Sequence, residues 1–375
     1  MSEQSETPIS KSATTWKGYA LVVAVSHYDN INGLPAAVLN DAKDLASVLA
    51  SPIHCGYPSA NMRMLLDTDA SRSNIQDALA WLASVAGPDD SVVVFFSGHG
   101  TRLSDSGSIE SALLPVDTEL ARLRETSLPE GELSSALKAI QSARLLVLLD
   151  ACHSGGSVSL KGIDTSEFIE AGFDEKSLAH LAEGIGRVVI ASSRSTETSL
   201  VFTGARNSVF TQHLLEALRG ETSTSGDGVV RVFEVFQHVS VKVPQTTSNR
   251  QHPIFKASDL ETNFPVSLDK GGRKSPAGTE AVHSGDDLDW NELEEILSDL
   301  YPTGPIDQDI WRRAGGDLSR LRLNQSGRAS WFASLLILKQ GGGGSLLSRG
   351  SLIRTVLEDF PSQGRLRALM AADGS

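Results

Sequence analysis

Apolar residues along this chain fall into two kinds of run, and the two kinds alternate. Residues 19–25, 62–66, 91–96, 144–149 and 187–191 are short, nearly continuous apolar stretches rich in Val, Leu and Ile. Such stretches fit strands covered on both faces. Between them the apolar positions follow helical spacing. Ala42, Leu45, Ala46 and Leu49 share a face within 40–50, and 75–86 is helical with Ser73 or Asn74 as a cap. Residues 132–140 read as helix, and so do 208–218, where Phe210, Leu214, Leu215 and Leu218 align. Strand and helix in alternation predict the α/β class: a mostly parallel sheet with helices on both faces.

The pattern changes after residue 265. Residues 266–285 are rich in Gly, Ser, Pro and charge and have no apolar period, so they read as an exposed linker. Residues 286–375 predict a small all-α domain. Leu293, Ile296, Leu297 and Leu300 make one stripe, stopped by Pro302. Residues 331–338 are strongly apolar. Leu352, Ile353, Val356, Leu357 and Phe360 make another stripe, stopped by Pro361. Residues 341–344, all Gly, are expected to be a flexible connection between helices. Residues 1–16 are a Ser/Thr-rich polar tail without periodicity. The expected division is thus 1–16 tail, 17–265 α/β domain, 266–285 linker and 286–375 helical domain.

Composition narrows the function. With 40% apolar residues in 375, most of the chain can bury a core. The 33 Lys+Arg against 46 Asp+Glu give a net charge of −13, which argues against sequence-independent nucleic-acid binding and is compatible with cationic substrates. The two cysteines, Cys55 and Cys152, are too few for a disulfide framework or a four-ligand zinc site, and a reducing cytoplasm is the simplest compartment. The N-terminus lacks the apolar core of a secretory signal, and no apolar run is long enough to span a membrane.

Two positions carry candidate chemistry. His99 follows the third predicted strand in Ser-Gly-His-Gly, and Cys152 follows the fourth in Asp-Ala-Cys-His-Ser-Gly-Gly. In open parallel sheets, reacting groups gather beyond the C-terminal strand ends. A thiolate is a strong nucleophile but scarce at neutral pH, and an adjacent imidazole both generates it and protonates the leaving amine. Backbone N–H groups of Gly100 and Cys152 are candidates for an oxyanion hole, where one donor is worth about 3 kcal/mol. Other thiol chemistries fail on spacing. A phosphate-binding Cys-x5-Arg loop meets Val158, and a redox Cys-x-x-Cys meets Gly155. Asp150 lies two residues before Cys152, and Asp41 opens the first predicted helix. Two carboxylates in one pocket select a cationic side chain, best of all the forked guanidinium of Arg. The alternative for Asp41 is a helix N-cap, and for Asp150 a turn-stabilising carboxylate. Glu197 is a further candidate pocket acid or a plain surface charge.

These residues sit in stretches that resemble the caspase-like cysteine peptidases, in particular the metacaspase and paracaspase branch and its bacterial relatives. The matching stretches are ALVVAVSHYDNINGLPAAVLNDAKDL, VVVFFSGHGT, LLVLLDACHSGG, and VVIASSRSTETS followed by SVFTQHLLEAL, within roughly 17–260. The resemblance implies Cys152 as nucleophile, His99 as its base, and the Gly100 and Cys152 backbone as oxyanion donors. It implies that Asp41 and Asp150 bind a substrate Arg or Lys at P1. His153 is expected to point elsewhere. The family's mobile, sometimes cleaved loop corresponds to 156–186. Lys161, Arg187, Lys270, Arg273 and Lys274 are candidate self-cleavage points, or simply solubilising charge. No cofactor is expected. Some metacaspase relatives use calcium, for which Asp164, Asp174 and Glu175 are candidates, yet no recognisable metal loop surrounds them.

Within the C-terminal region, LYPTGPIDQDIWRRAGGDLSRLRLNQSGRASWFASLLIL and SLIRTVLEDFP resemble the effector-associated domains of bacterial conflict systems. That implies a death-domain-like adaptor pairing with a similar domain on a partner protein, and a setting in bacterial defence or regulated cell death. The alternative is a helical lid on the catalytic domain. The whole then reads as a regulated endopeptidase cleaving after Arg or Lys. The rival is a non-enzymatic adaptor using the same fold as a scaffold.

Overall fold

The computed structural model describes residues 17–105, 108–151, 168–169, 173–222, 224, 226–269, 285–321, 323 and 326–372. The chain begins β1 (Gly18–Ala24), α1 (Ala37–Ala50), β2 (Met62–Leu66), α2 (Arg72–Val85) and β3 (Ser91–Ser97). There follow β4 (Gly100–Asp105), β5 (Ser108–Leu113), α3 (Leu123–Thr126), β6 (Leu128–Pro129), α4 (Glu130–Ala139), β7 (Leu145–Asp150) and β8 (Phe168–Ile169). Next come α5 (Glu175–Leu181), β9 (Arg187–Ala191), α6 (Val209–Leu218), β10 (Val229–Arg231), α7 (Val232–Thr246), β11 (Ile254–Ala257) and β12 (Pro265–Leu268). Five helices close the chain: α8 (Gly285–Leu300), α9 (Ile310–Arg313), α10 (Gly327–Lys339), α11 (Arg349–Asp359) and α12 (Gly364–Ala372).

The main sheet has six strands in the order β11-β9-β7-β3-β1-β2. All pair in parallel except β11, which runs antiparallel to β9. Every residue of β1, β3, β7 and β9 is buried, as continuous apolar runs require when helices cover both faces. The two faces separate by the period of the strand. Ala20, Val22 and Ala24 of β1 join a core with residues of α1, α6 and α7, while Tyr19, Leu21 and Val23 join a second core with residues of α2, α4 and α5.

Several expectations shift. The second helix is capped by Ser71, whose side chain accepts from the Asn74 N–H, not by Ser73 or Asn74. The β4–β5 hairpin has no mark in the sequence pattern, because its strands, GTRLSD and SIESAL, alternate too weakly in polarity. The linker expected from 266 begins later, because Val266, Ser267 and Leu268 belong to β12, paired with β10. Its remaining part, 270–284, lies outside the described residues. Arg187 is no exposed cleavage point. It is 4% exposed at the start of β9, and its guanidinium donates to the carbonyls of Leu137, Leu181 and Glu183. Lys161, Lys270, Arg273 and Lys274 lie outside the described residues.

The C-terminal helices surround their own core, centred on Trp311, Trp331 and Tyr301. The four-glycine run is a packed turn rather than a loose tether. The Gly343 carbonyl accepts from the Asp317 N–H and the Trp311 indole, and a Cβ on Gly343 (φ +88°) would meet the Trp311 ring at 2.8 Å. The helical unit also rests on the α/β unit. Phe332 of α10 stacks on Phe233 of α7 with ring centroids 4.1 Å apart and 13° between planes, and contacts Phe236 and Phe255. Ser326 donates to the Leu260 carbonyl at 3.1 Å. A stacked, buried aromatic pair couples by about 1 kcal/mol. A double-mutant cycle on Phe233→Ala and Phe332→Ala, followed by chemical denaturation, is therefore expected to return about 1 kcal/mol of coupling. Zero coupling would mean that the two units do not meet through these rings.

Candidate active site

The site lies at the C-terminal edge of the main sheet. Ser97 at the end of β3 pairs with Asp150 at the end of β7. His99 follows Ser97 by two residues and Ala151 follows Asp150 directly, so parallel pairing puts these two segments at one end of neighbouring strands. The backbone joins them further. Gly98 N–H donates to the Asp150 carbonyl at 3.2 Å. A Cβ on Gly100 would stand 2.4 Å from the Ala151 carbonyl oxygen, so only glycine permits this approach. Cys152 and His153 themselves lie outside the described residues.

His99 is buried and held from three sides. Its backbone N–H donates to the Tyr28 hydroxyl at 2.7 Å, and the Tyr28 ring lies 4.9 Å from the imidazole, centroid to centroid. Its Nε2 lies 2.9 Å from the Asn32 carbonyl oxygen. A carbonyl can only accept, so in the neutral ring Nε2 carries the hydrogen and Nδ1 the lone pair. Tyr28 and Asn32 both come from the loop after β1, which is itself pinned. Ser26 Oγ donates to the Leu34 carbonyl, and Asp67 accepts from the backbone of Ser26 and His27. Sequence reasoning missed Tyr28 and Asn32 because nothing local marks a loop residue that acts through a strand two places along.

Asp41 and Asp150 do come together, through a residue not anticipated. Ser208, the N-cap of α6, donates its hydroxyl to Asp150 Oδ2 at 2.7 Å, and its backbone N–H donates to Asp41 Oδ1 at 3.0 Å. Asp41 therefore does not open its helix. It lies one turn inside α1, whose N-cap is Ala36, and the N-cap alternative falls away. Both carboxylates are fully buried. Asp41 Oδ2 and Asp150 Oδ1 have no hydrogen-bond partner among the described residues. Burial, and then the neighbouring Asp150 carboxylate, push the Asp41 carboxyl up to about 8, which the donors of Asn207 and Ser208 offset only partly.

The other candidates are engaged elsewhere. Glu197 accepts from the His252 backbone N–H at 2.7 Å, lies 2.7 Å from the His252 ring and bonds Arg194. It bonds none of Asp41, Asp150 and Ser208. Its charge ties His252 and Arg194 together. Asp174 caps α5 through the Ser177 N–H, and Glu175 pairs with Lys256 at 3.0 Å. Asp164 lies outside the described residues. Cys55 is buried, and burial pushes its thiol up to about 12.

This sheet, with its two-sided helical cover and its histidine loop, is a caspase-like α/β fold. The caspase-domain family model matches residues 17–265, and the chain belongs to that family of cysteine peptidases. It is similar to metacaspase-1A of Aspergillus oryzae, 29% identical over 213 residues that make up 51% of this chain and 47% of that protein. It is similar to metacaspase-1 of Schizosaccharomyces pombe, 27% identical over 164 residues, 38% of this chain and 35% of that one. The chain spans about half the length, or less, of these relatives. The solved structure of pro-sf-caspase-1 covers 66% of the chain at 16% identity, with a TM-score of 0.44. Among the described residues, no helix is long and apolar enough to cross a membrane.

A raised Asp41 pKa gives a sign to the pH dependence. Between about pH 4 and pH 8 the folded state keeps a proton on Asp41 that the unfolded chain has released. Stability must therefore fall as pH rises through that window. Asp41→Asn removes this proton linkage. The variant is expected to gain about 1 kcal/mol or more over wild type at pH 8, with the gain shrinking toward pH 4, in urea unfolding at both values. A pH-independent difference would show that Asp41 is charged in the fold.

Proposed function

We propose that this chain is an endopeptidase that cleaves after Arg, and less well after Lys, through Cys152 and His99. The observation that carries the reading is the buried pair Asp41 and Asp150, at the sheet edge that bears His99. Each keeps one carboxylate oxygen without a partner among the described residues. An incoming guanidinium supplies fork-shaped donors and positive charge to such a pair, whereas a carboxylate side chain would be repelled. Ser208 leaves those two oxygens open by occupying the other two.

The chemistry follows from the histidine. Nδ1 of His99 takes the Cys152 thiol proton, and the thiolate attacks the carbonyl carbon of the scissile bond. Backbone N–H groups of Gly100 and Cys152 stabilise the oxyanion. The imidazolium then protonates the leaving amine, giving a thioester and a free N-terminus. A water molecule deprotonated by His99 attacks the thioester, releasing the acid and restoring the thiol. The hydrogen bond from Nε2 to the Asn32 carbonyl holds the ring in the tautomer that each step requires.

The C-terminal helices, by their resemblance to effector-associated domains, are read as the recruiting module. They would pair with a like domain on a partner protein in the cytoplasm, in bacterial defence or regulated cell death. The stacking of Phe332 on Phe233 favours a second reading for the same helices, in which they are a fixed part of the catalytic body.

Two measurements test the proposal. Fluorogenic peptides differing only at P1 (Arg, Lys, Asp, Leu) are to be run with and without calcium. Arg is expected to exceed Lys about tenfold in kcat/KM. Turnover should vanish in Cys152→Ala and fall about 100-fold in Asp150→Ala. Turnover of the Asp peptide instead would sink the acidic pocket. Silence on all four would favour the adaptor reading. Separately, iodoacetamide at pH 7 is expected to label Cys152 about 100-fold faster than Cys55, with the ratio shrinking in His99→Ala. Equal labelling of the two thiols would leave no activated nucleophile.

A further inference from the structure

A second cluster of reactive side chains lies away from the peptidase site, where α6 and α7 pack together. His213 and Glu216, at positions i and i+3 of α6, face His238 of α7. One ligand atom from each falls within 4.8 Å of the others. Glu216 Oε2 is the point of convergence, 2.6 Å from His213 Nδ1 and 3.3 Å from His238 Nε2. Both imidazoles are nearly buried, and Glu216 is about one-quarter exposed.

We propose that His213, Glu216 and His238 form a binding site for one divalent transition-metal cation of the zinc type. Two neutral imidazoles and a carboxylate are a borderline donor set suited to zinc, and three protein ligands leave a fourth position open. Ligands of a tetrahedral zinc at about 2.0–2.1 Å stand about 3.3 Å apart. The Glu216–His238 separation already matches this, and the Glu216–His213 pair needs to open by less than about 1 Å.

The surroundings fit the same use. A ligating imidazole needs an acceptor for its other N–H, and His213 Nε2 lies 2.8 Å from Thr246 Oγ1. Without metal, His213 Nδ1 and His238 Nε2 donate to Glu216 Oε2, and a bound cation would replace those two hydrogens; with its hydrogen moved to Nε2, toward Thr246, His213 offers Nδ1 as a lone pair. His238 does the same at Nε2 when its hydrogen is on Nδ1. The carboxylate is oriented as well, since Gln212 donates to Glu216 Oε1 at 3.1 Å and leaves Oε2 to the cluster. His238 also lines a cavity of about 430 Å³, together with Lys242 of α7 and Leu336 and Lys339 of α10. The cation would thus tie together two helices beside the seat of the C-terminal helices. It would also lie on the helix whose N-cap, Ser208, organises the acidic pair.

The test uses the full chain carrying Cys152→Ala, because a reactive thiol would itself take up zinc. The protein is stripped with a chelator and titrated with zinc chloride against a chromophoric competitor. The expected result is one zinc per chain. Affinity should fall at least about 100-fold in His238→Ala and in Glu216→Gln, and about tenfold in Thr246→Val. Cobalt in place of zinc should give visible absorption bands that disappear in the same variants. Far-UV circular dichroism checks each fold. Should His238→Ala not fold, the conservative Glu216→Gln decides. No zinc uptake by the Cys152→Ala chain, or uptake unchanged in a folded Glu216→Gln, overturns the proposal. Peptidase activity enters none of these readouts, so the proposal stands or falls apart from the function proposed above.

Discussion

One serine joins two buried carboxylates from distant parts of the chain. Asp41 and Asp150 are buried on different elements, a helix on one face of the sheet and the end of a central strand. Ser208 meets one through its backbone N–H and the other through its hydroxyl. Burial raises the Asp41 pKa, and the neighbouring Asp150 carboxylate raises it further. The chain tolerates this cost only because surrounding elements over-determine the geometry. The β3–β7 register fixes Asp150, the packing of α1 fixes Asp41, and the capping of α6 fixes Ser208. On the proposed function, an arriving cation would offset that cost.

The histidine side of the site follows the same logic by other means. His99 is placed by the strand before it and oriented by a loop from a neighbouring strand. Tyr28 takes its backbone N–H, Asn32 fixes its ring, and Asp67 anchors the loop that carries both. None of these groups needs to react. Each restricts the orientation of the imidazole. The close contact of Gly100 with Ala151 then brings the histidine turn against the backbone that leads into Cys152.

The C-terminal helices show how far packing can override composition. A run of four glycines reads as a tether, yet here Gly343 packs against the Trp311 ring and accepts its indole hydrogen. Phe332 is apolar on a helix that already has a core of its own. Its ring leaves that core and joins Phe233, Phe236 and Phe255 on the α/β unit. The two units meet through aromatic faces and the Ser326–Leu260 hydrogen bond.

Local pattern by itself determined the alternation of strand and helix, the edge that bears His99, and the family resemblance. Continuous apolar runs admit few other folds, and glycine-flanked His and Cys after successive strands point to one edge. The acidity of the pocket was legible in Asp41 and Asp150 as residue types, though not in position. Asp41 was expected to open α1, and it lies a turn inside. What only tertiary structure decided were the relations between segments far apart in the chain. Ser208 lies 167 residues from Asp41, and Asn32 lies 67 from His99. Such contacts leave no local period or spacing. They depend on how helices cross a twisted sheet, and that is settled only when the whole core packs.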